Sequence, residues 1–385
     1  FFSSFGQSFF IGLFNSSIRA DLSITHGQFG VIYASATLLS SFVLIWIGKK
    51  IDDMNVFKFS IFVVILLSFA CYFFSTIKII PFLFIGIFFL RLSGQGLMSH
   101  TASTTVSRFF EKTRGKALSI TWLGLSAAEF VLPVLVVFLL TIISWRYIWI
   151  SISIFVLVLL PVISFLLIKK INLDSRENLE KGEIKNNDIK QWARSEVLRD
   201  YRFYILVLNL LSMPAIATGV FVYQSFILTS KNWGPFIIAQ SFMAYSILSV
   251  ITLFISGYLI DKYTSRKLLI YMNIPLFMST IVLYLFESPI FSFVFFGLIG
   301  ITNGFANVLA SSTWAEIYGV KHIGAIKALT AGLMVFATAT GTAVFGFLID
   351  SGYSINVISM FSAIYIAIVV LLLFFFKNKI EPVYV

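Results

Sequence analysis

Only 12% of the 385 residues are Asp, Glu, Lys or Arg, and there is one cysteine, Cys71. A lone Cys closes no internal disulfide and more often packs as a small apolar group. The chemistry of catalysis is equally thin. No His-Glu pair stands at zinc spacing, no Gly-rich phosphate cradle opens a helix, no Cys cluster occurs and no Ser sits in a nucleophile elbow. The sequence therefore argues against an enzyme and implies no cofactor and no metal. An ATP-binding motif is missing too, so a primary pump would need another chain. No charged leader precedes the first apolar block and no clear cleavage context follows it, so we do not expect it to be a cleavable signal peptide. That block opens without Met, which leads us to expect residues ahead of Phe1.

What is abundant is apolar surface. The chain is 59% hydrophobic and 17% aromatic, more than a soluble domain of this size hides in one core. The 44 Phe, beside many Ile, Lys and Asn, read as compositional bias, because side chains facing lipid need only be apolar. Blocks long enough to cross a bilayer, about 20 residues each, recur twelve times. They run over 1–18, 27–48, 57–76, 80–106, 117–142, 146–168, 202–228, 235–260, 268–286, 290–314, 326–349 and 354–376. We therefore expect an all-α membrane protein of twelve transmembrane helices.

Lys and Arg set the orientation. With residue 1 inside, the inside segments hold 23 of the 28 basic residues and the outside segments hold Arg19, Lys78, Arg146 and Lys231, while Arg91 lies within a span. That asymmetry places both termini in the cytoplasm and the protein in the cell's inner membrane. The net charge of +11 then needs no nucleic acid partner.

The longest polar interval, from Lys169 to Arg202, carries nine basic and seven acidic residues and reads as a solvated linker. It separates six spans from six, giving an N-terminal bundle over 1–168, a cytoplasmic linker over 169–201 and a C-terminal bundle over 202–385. Two short stretches support a duplication. "GKKIDDMNVFK" (Gly48 to Lys58) and "GYLIDKYTSRK" (Gly257 to Lys267) align at an offset of 209, with Gly48 over Gly257, Asp52 over Asp261 and Lys58 over Lys267. A second pair of loops, around Gly115 and Gly324, keeps the same offset. Each copy lies on a cytoplasmic turn of its own half, so the halves are parallel repeats about an axis along the membrane normal. Gly allows two helices to approach closely, and an Asp at a span's end accepts hydrogen bonds from a facing helix N-terminus or pairs with basic neighbours such as Arg266. Such contacts would hold a gate shut; alternatively, the basic residues only fix topology.

Ionisable groups near the bilayer centre cost about 2.5 to 3.5 kcal/mol and are functional candidates. Arg91 lies about 25 Å above Arg108 along the fourth span, and Glu129 about 20 Å above Lys116 along the fifth. Their depths allow them to pair. Arg91 and Gln95 share a face, as do Trp122, Ser126, Glu129 and Pro133. One reading is a structural ion pair between two helices. The other has Arg91 receiving a substrate carboxylate while Glu129 takes up a proton. His100 points to nearly the opposite face from Arg91; it either hydrogen-bonds a neighbouring helix or relays protons. Further polar stripes are Gln7 with Ser3, Ser4 and Ser8 on the first span, Tyr223 and Gln224 on the seventh, and Asn303, Asn307, Ser311 and Trp314 on the tenth. Each serves interhelical hydrogen bonding or substrate contact. Pro133, Pro161, Pro214 and Pro275 read as kinks.

On the repeated turn and the six-plus-six pattern, the chain resembles the major facilitator superfamily over its whole length. "GKKIDDMNVFK" looks like that family's signature between helices 2 and 3, and "GYLIDKYTSRK" like its echo between helices 8 and 9. Asn55 stands where a Gly is customary and Phe57 where a basic residue is. "FGQSFFIGLF", "RLSGQGLMSH", "RFFEKTRGKALSI" and "WAEIYGVKHIGAIKAL" are similar to a bacterial branch near the monocarboxylate and oxalate/formate carriers. The resemblance implies that two six-helix bundles rock around a mid-membrane site, with helices 1, 4, 7 and 10 lining the pore, which lifts Gln7, Arg91, Gln95, Tyr223, Gln224, Asn303 and Asn307 towards substrate contact. We expect a secondary active transporter, a monomer, moving a small organic anion by alternating access with proton coupling. The alternative is an exporter of drugs or neutral metabolites on the same fold, which the absence of a Gly-Pro stretch in the fifth span weakens. A channel or transporter-like receptor is a third class, separable by a flux assay that saturates with solute.

Overall fold

Apolar side chains face outward along nearly every helix of the computed structural model: Trp46 is 72% exposed and Phe375 75%. Water would not tolerate such surfaces on long helices, whereas hydrocarbon asks for them. The structure describes residues 1–51, 54–109, 114–166, 190–319 and 322–383. Among these there is no β-strand, and eleven helical stretches are long and apolar enough to cross a membrane. The all-α, multi-pass architecture expected from the apolar blocks is what the chain adopts.

The helices are α1 Ser8–Gly12, α2 Asn15–Leu22, α3 His26–Lys49, α4 Val56–Ser75, α5 Ile80–Leu90, α6 Ser99–Phe109, α7 Arg114–Leu140, α8 Trp145–Ser164, α9 Arg194–Val197, α10 Tyr201–Val222, α11 Gln224–Ser230, α12 Pro235–Tyr263, α13 Ser265–Met272, α14 Ile274–Leu285, α15 Ile290–Tyr318, α16 Ile323–Asp350 and α17 Ile355–Phe376. Local chemistry sets their starts. Thr25 and Gln28 form a reciprocal capping box at α3. Asn55 caps α4 by accepting from the Phe57 and Lys58 amides at 2.9 and 3.2 Å, which gives the residue at the customary Gly position a use of its own. Ser144 and Ser354 cap α8 and α17.

Three spans depart from a uniform helix. The first block is not one helix: a 3-10 turn over Phe2–Gly6 ends at Gln7, whose backbone is extended, before α1 and α2 follow. In the fourth, α5 and α6 are joined through a π-helical stretch, Arg91–Met98. The ninth is split into α13 and α14 at Asn273, with Pro275 in the first turn of α14 rather than at a mid-helix kink. Pro133, Pro161 and Pro214 do lie inside helices.

Contacts divide the chain into two compact units. The first comprises Phe1–Leu179 together with Phe221–Ser225 and Thr342–Asp350; the second comprises Glu180–Val220, Phe226–Gly341 and Ser351–Val385. Within the first, Phe10, Phe14, Phe74 and Trp149 pack as edge-to-face and tilted rings 4.8 to 5.5 Å apart. Ser68 and Ser153 join α4 to α8 through hydroxyl and carbonyl contacts of 2.8 to 3.0 Å. Within the second, the core gathers Phe203, Leu206, Leu269, Met272, Leu309, Trp314 and Tyr318. There, buried Asn273 donates to the Asn209 carbonyl and side-chain oxygens at 2.7 and 2.9 Å, which explains the break in the ninth span: the side chain ties it to α10. Small hydroxyl and amide groups thus join helices where apolar packing against lipid supplies no driving force.

Candidate functional site

The break at Gln7 leaves the Gly6 carbonyl without a helical partner, and Arg91 takes it. Arg91 Nη1 donates to Gly6 O at 3.1 Å and to Ser8 Oγ at 3.2 Å. The Tyr33 hydroxyl of α3 donates to the same Ser8 Oγ at 2.9 Å, and the guanidinium carbon lies 5.4 Å from the centre of the Tyr33 ring. Gly6 and Gly94 make this approach feasible, since a methyl at either would collide with the other segment's backbone. Three parts of the first unit therefore converge on one cation: the break before α1, α3, and the π-helical stretch.

Arg91 is 2% exposed, and its Nε has no hydrogen-bond partner. No ion pair joins it to Glu129 or to any other carboxylate among the described residues. The structural ion pair, one of the two readings of Arg91 and Glu129, is thus not formed. The physical reason is that Arg91 reaches towards the broken first span, where its Nη1 donates to Gly6 O and Ser8 Oγ, and not towards α7. Glu129 on α7 is 6% exposed and makes no hydrogen bond or ion pair among the described residues, so the first unit holds a cation and an acid, each buried and each without an opposite charge. Gln95 lies within the π-helical stretch and is half-buried, as is Gln7.

His100 Nε2 lies 3.2 Å from the Gly48 carbonyl, which joins α6 to the end of α3 and agrees with the interhelical reading of this histidine. Of the gate residues in the first turn, Gly48 packs against the His100 ring and Lys58 is exposed. Asp52 lies outside the described residues, as does the side chain of Asp261. In the second turn, Gly257 faces open space, so no close helix approach depends on it. There the carboxylate that meets the helix start is Glu316, from the end of α15. Its Oε2 accepts from the Ser265 amide at 2.9 Å and from the Ser265 hydroxyl. Arg266 pairs with Glu316 at 3.2 Å and with Glu381 at 3.4 Å, and Lys267 is exposed.

In the second unit a cavity of about 280 Å³ is lined by α10, α15 and α16. Three of the four residues in the tenth-span stripe line it, Asn303, Asn307 and Trp314, together with Met213, Lys327 and Thr330; the Ser311 side chain lies outside the described residues. Asn303 donates to Ser249 Oγ at 2.9 Å, whereas Asn307 is exposed to the cavity.

The Tyr223 hydroxyl and the Gln224 Nε2 are engaged in local contacts in the first unit, while Gln224 Oε1 is buried without a partner. The Tyr223 hydroxyl lies 2.9 Å from the His26 carbonyl and 3.1 Å from that of Thr342, and Gln224 Nε2 donates to the Phe9 and Phe221 carbonyls at 3.0 and 2.9 Å. Four residues that matter here escaped sequence reasoning. Tyr33 lies in a helix with only small hydroxyl residues nearby, Ser35 and Thr37, to mark it, Asp350 and Glu316 each stand alone near a helix end, and Thr25 was visible only as the first member of a Thr-x-x-Gln capping pattern.

The Major Facilitator Superfamily model matches residues 1–331 and 226–384, so the chain belongs to that family. No curated protein matches the sequence. Solved structures share the fold at low identity. A bacterial homologue of the human lysosomal transporter Spinster, in an inward-facing and occupied conformation, superposes with a TM-score of 0.68 at 13% identity, covering 98% of this chain and 96% of that one. The nucleoside transporter NupG gives 0.69 at 14% identity, covering 98% and 97%. The fold is that of membrane transporters.

Proposed function

We propose that this protein is a secondary active carrier of a small, monocarboxylate-like organic anion, working by alternating access with proton coupling. It acts as a monomer in the inner membrane, with both termini cytoplasmic. One observation carries the reading: Arg91 is buried with neutral ligands only and an unpartnered Nε. A desolvated guanidinium without a counter-charge costs several kcal/mol unless an anion arrives to complete it, and its planar fork suits a carboxylate. Gln7 and Gln95, on the two segments that meet at Arg91, supply further donors to that anion. Glu129 is the proton acceptor, a buried acid with no cation to hold it ionised. His100, engaged with Gly48, serves the coupling only by fixing α6. In the second unit, Asn303 and Asn307 give the solute amide contacts within the apolar cavity. Tyr223 and Gln224 fall outside the contact set, because nearly all their polar atoms have protein partners.

Two amides, an indole and two methionines, beside the single cation Lys327, line that cavity, and the amides and indole are what favours the second reading, a neutral solute. Reconstitution into lipid vesicles separates the two. Small carboxylates, nucleosides and cationic drugs are offered with and without a pH gradient that is acidic on the side of entry. Saturable carboxylate uptake that the gradient accelerates supports the proposal. Uptake confined to neutral or cationic solutes overturns it.

A further inference from the structure

Two pieces of chain far apart in sequence meet at one end of the second unit. The first leads into α10 over 190–202; the second leaves α17 through a 3-10 turn, Lys377–Lys379, and runs on to Val383. Lys190 N donates to Val383 O at 2.7 Å and Arg202 Nη1 to Glu381 O at 2.6 Å, which ties the two together. α10 and α17 lie side by side there: the Tyr201 and Phe376 rings meet edge to face at 6.1 Å, and deeper in the unit the Tyr365 hydroxyl donates to Leu208 O at 3.4 Å.

Every carboxylate that these two pieces carry is turned to a cation of the protein. Glu196 pairs with Lys190 at 3.0 Å, buried Asp200 with Arg202 at 2.8 Å, and Glu381 with Arg266 at 3.4 Å. Arg199, Lys377 and Lys379 are exposed and meet no carboxylate among the described residues. The two lysines stand where the apolar surface of α17 stops. Lys377 Nζ lies 4.1 Å from the Phe374 ring centre and Lys379 Nζ 5.5 Å from that of Phe376. Each stem thus rests on an aromatic face with its ammonium at the rim of the hydrocarbon. Deeper along α17, Ile364, Ile368, Leu371 and Phe375 recur at helical spacing and are all exposed, from 49% to 75%. They form one apolar stripe that leads up to the lysines. A ligand that matches this surface has an anionic head and a long hydrocarbon tail.

We propose that Arg199, Lys377 and Lys379 hold the phosphate of an anionic phospholipid whose acyl chains lie along that stripe of α17. A zwitterionic headgroup suits the place poorly, because its own ammonium would face three cations whose neighbouring acids are already engaged. The bound phosphate gives the ends of α10 and α17 a common partner. The proposal needs only a chain that spans a bilayer, and it is independent of which solute moves.

The full-length protein in a neutral detergent provides the test. Phosphatidylglycerol or phosphatidylcholine is titrated in at constant ionic strength, and lipid-bound protein is counted by native mass spectrometry. The native chain should hold phosphatidylglycerol at least about fivefold more tightly than phosphatidylcholine. Lys377→Gln and Lys379→Gln should each weaken phosphatidylglycerol binding by about fivefold, the factor one cation contributes near an anionic membrane surface. Lys262→Gln removes an exposed lysine at the end of α12 and should leave that affinity unchanged. Equal affinity of the native chain for the two lipids overturns the proposal, and this measurement needs no variant. An equal loss in Lys262→Gln overturns it as well, since the attraction would then be diffuse. Displacement of the lipid by inorganic phosphate at matching concentration would assign the three cations to a soluble anion and overturn it too.

Discussion

Arg91 and Tyr33 share one hydroxyl: both bond Ser8 Oγ, and the guanidinium lies 5.4 Å from the ring centre of the same tyrosine. The cation is therefore steadied by a π-face and two neutral oxygens, none of which cancels its charge. A site of this kind is fixed in position and still electrostatically open.

Arg91→Lys keeps the charge but loses the fork, so it cannot hold Gly6 O and Ser8 Oγ while presenting two parallel donors to a carboxylate. We expect the KM for the anion to rise at least about tenfold, matching roughly 1.4 kcal/mol, in vesicles where protein levels are equal. Tyr33→Phe keeps the ring and loses only the Ser8 bond, so its effect should be smaller, within about threefold. Equal affinity in Arg91→Lys would remove Arg91 from the substrate site.

Glu129→Gln retains the volume and hydrogen-bonding reach of the side chain and cannot ionise. Uptake by this variant should lose its response to a pH gradient while exchange of anion for anion continues. Gradient-driven accumulation at the native level would reassign the proton to another group.

Glu316 holds the start of α13 through Ser265 and Arg266, in the repeated turn whose own Asp was the expected anchor. Replacing Glu316 with Ala leaves the Ser265 amide and the Arg266 guanidinium without this partner. A loss of about 1 to 3 kcal/mol is expected, read as a lower unfolding temperature in detergent. No change would mean that Glu381 alone suffices for Arg266.

Between spans in the second unit, Lys231 donates to Glu287 at 2.8 Å, and that hydrogen bond holds the Glu287 carboxyl below the usual carboxylate range. A depressed folded value means that the contribution is present above the unfolded value, about 4.3, and is lost as pH falls through the folded one. Glu287 is largely exposed, so the size is under about 1 kcal/mol. Unfolding temperature in detergent should therefore fall slightly between pH 6 and pH 3, and Glu287→Gln should flatten that part of the profile.

The membrane architecture was legible because long apolar blocks admit no other solution in water or lipid. The proposed duplication rests on two loops that keep one offset in the sequence. The breaks at Gln7 and Asn273 were not, since each depends on a partner far along the chain: Arg91 for the first and Asn209 for the second. The polar tenth-span stripe was read correctly as a face, and three of its members line one cavity. Arg91 and Glu129 were placed only by position along their helices, which does not fix direction, and the two do not meet. Least visible of all was the junction of Thr25 with Asp350, whose partners stand 325 residues apart and whose residue types are ordinary at helix ends.

The π-helical stretch at Arg91–Met98 has a consequence for the whole fourth span. Winding through wider turns re-phases everything that follows, so Arg91 and His100 are related by a different angle than a uniform α-helix would give them. The same residues wound as an ordinary α-helix would swing α6 by about 100°, carrying His100 off the Gly48 carbonyl while Arg91 stayed where it is. One surplus residue thereby sets the azimuth at which each end of that span addresses its neighbours.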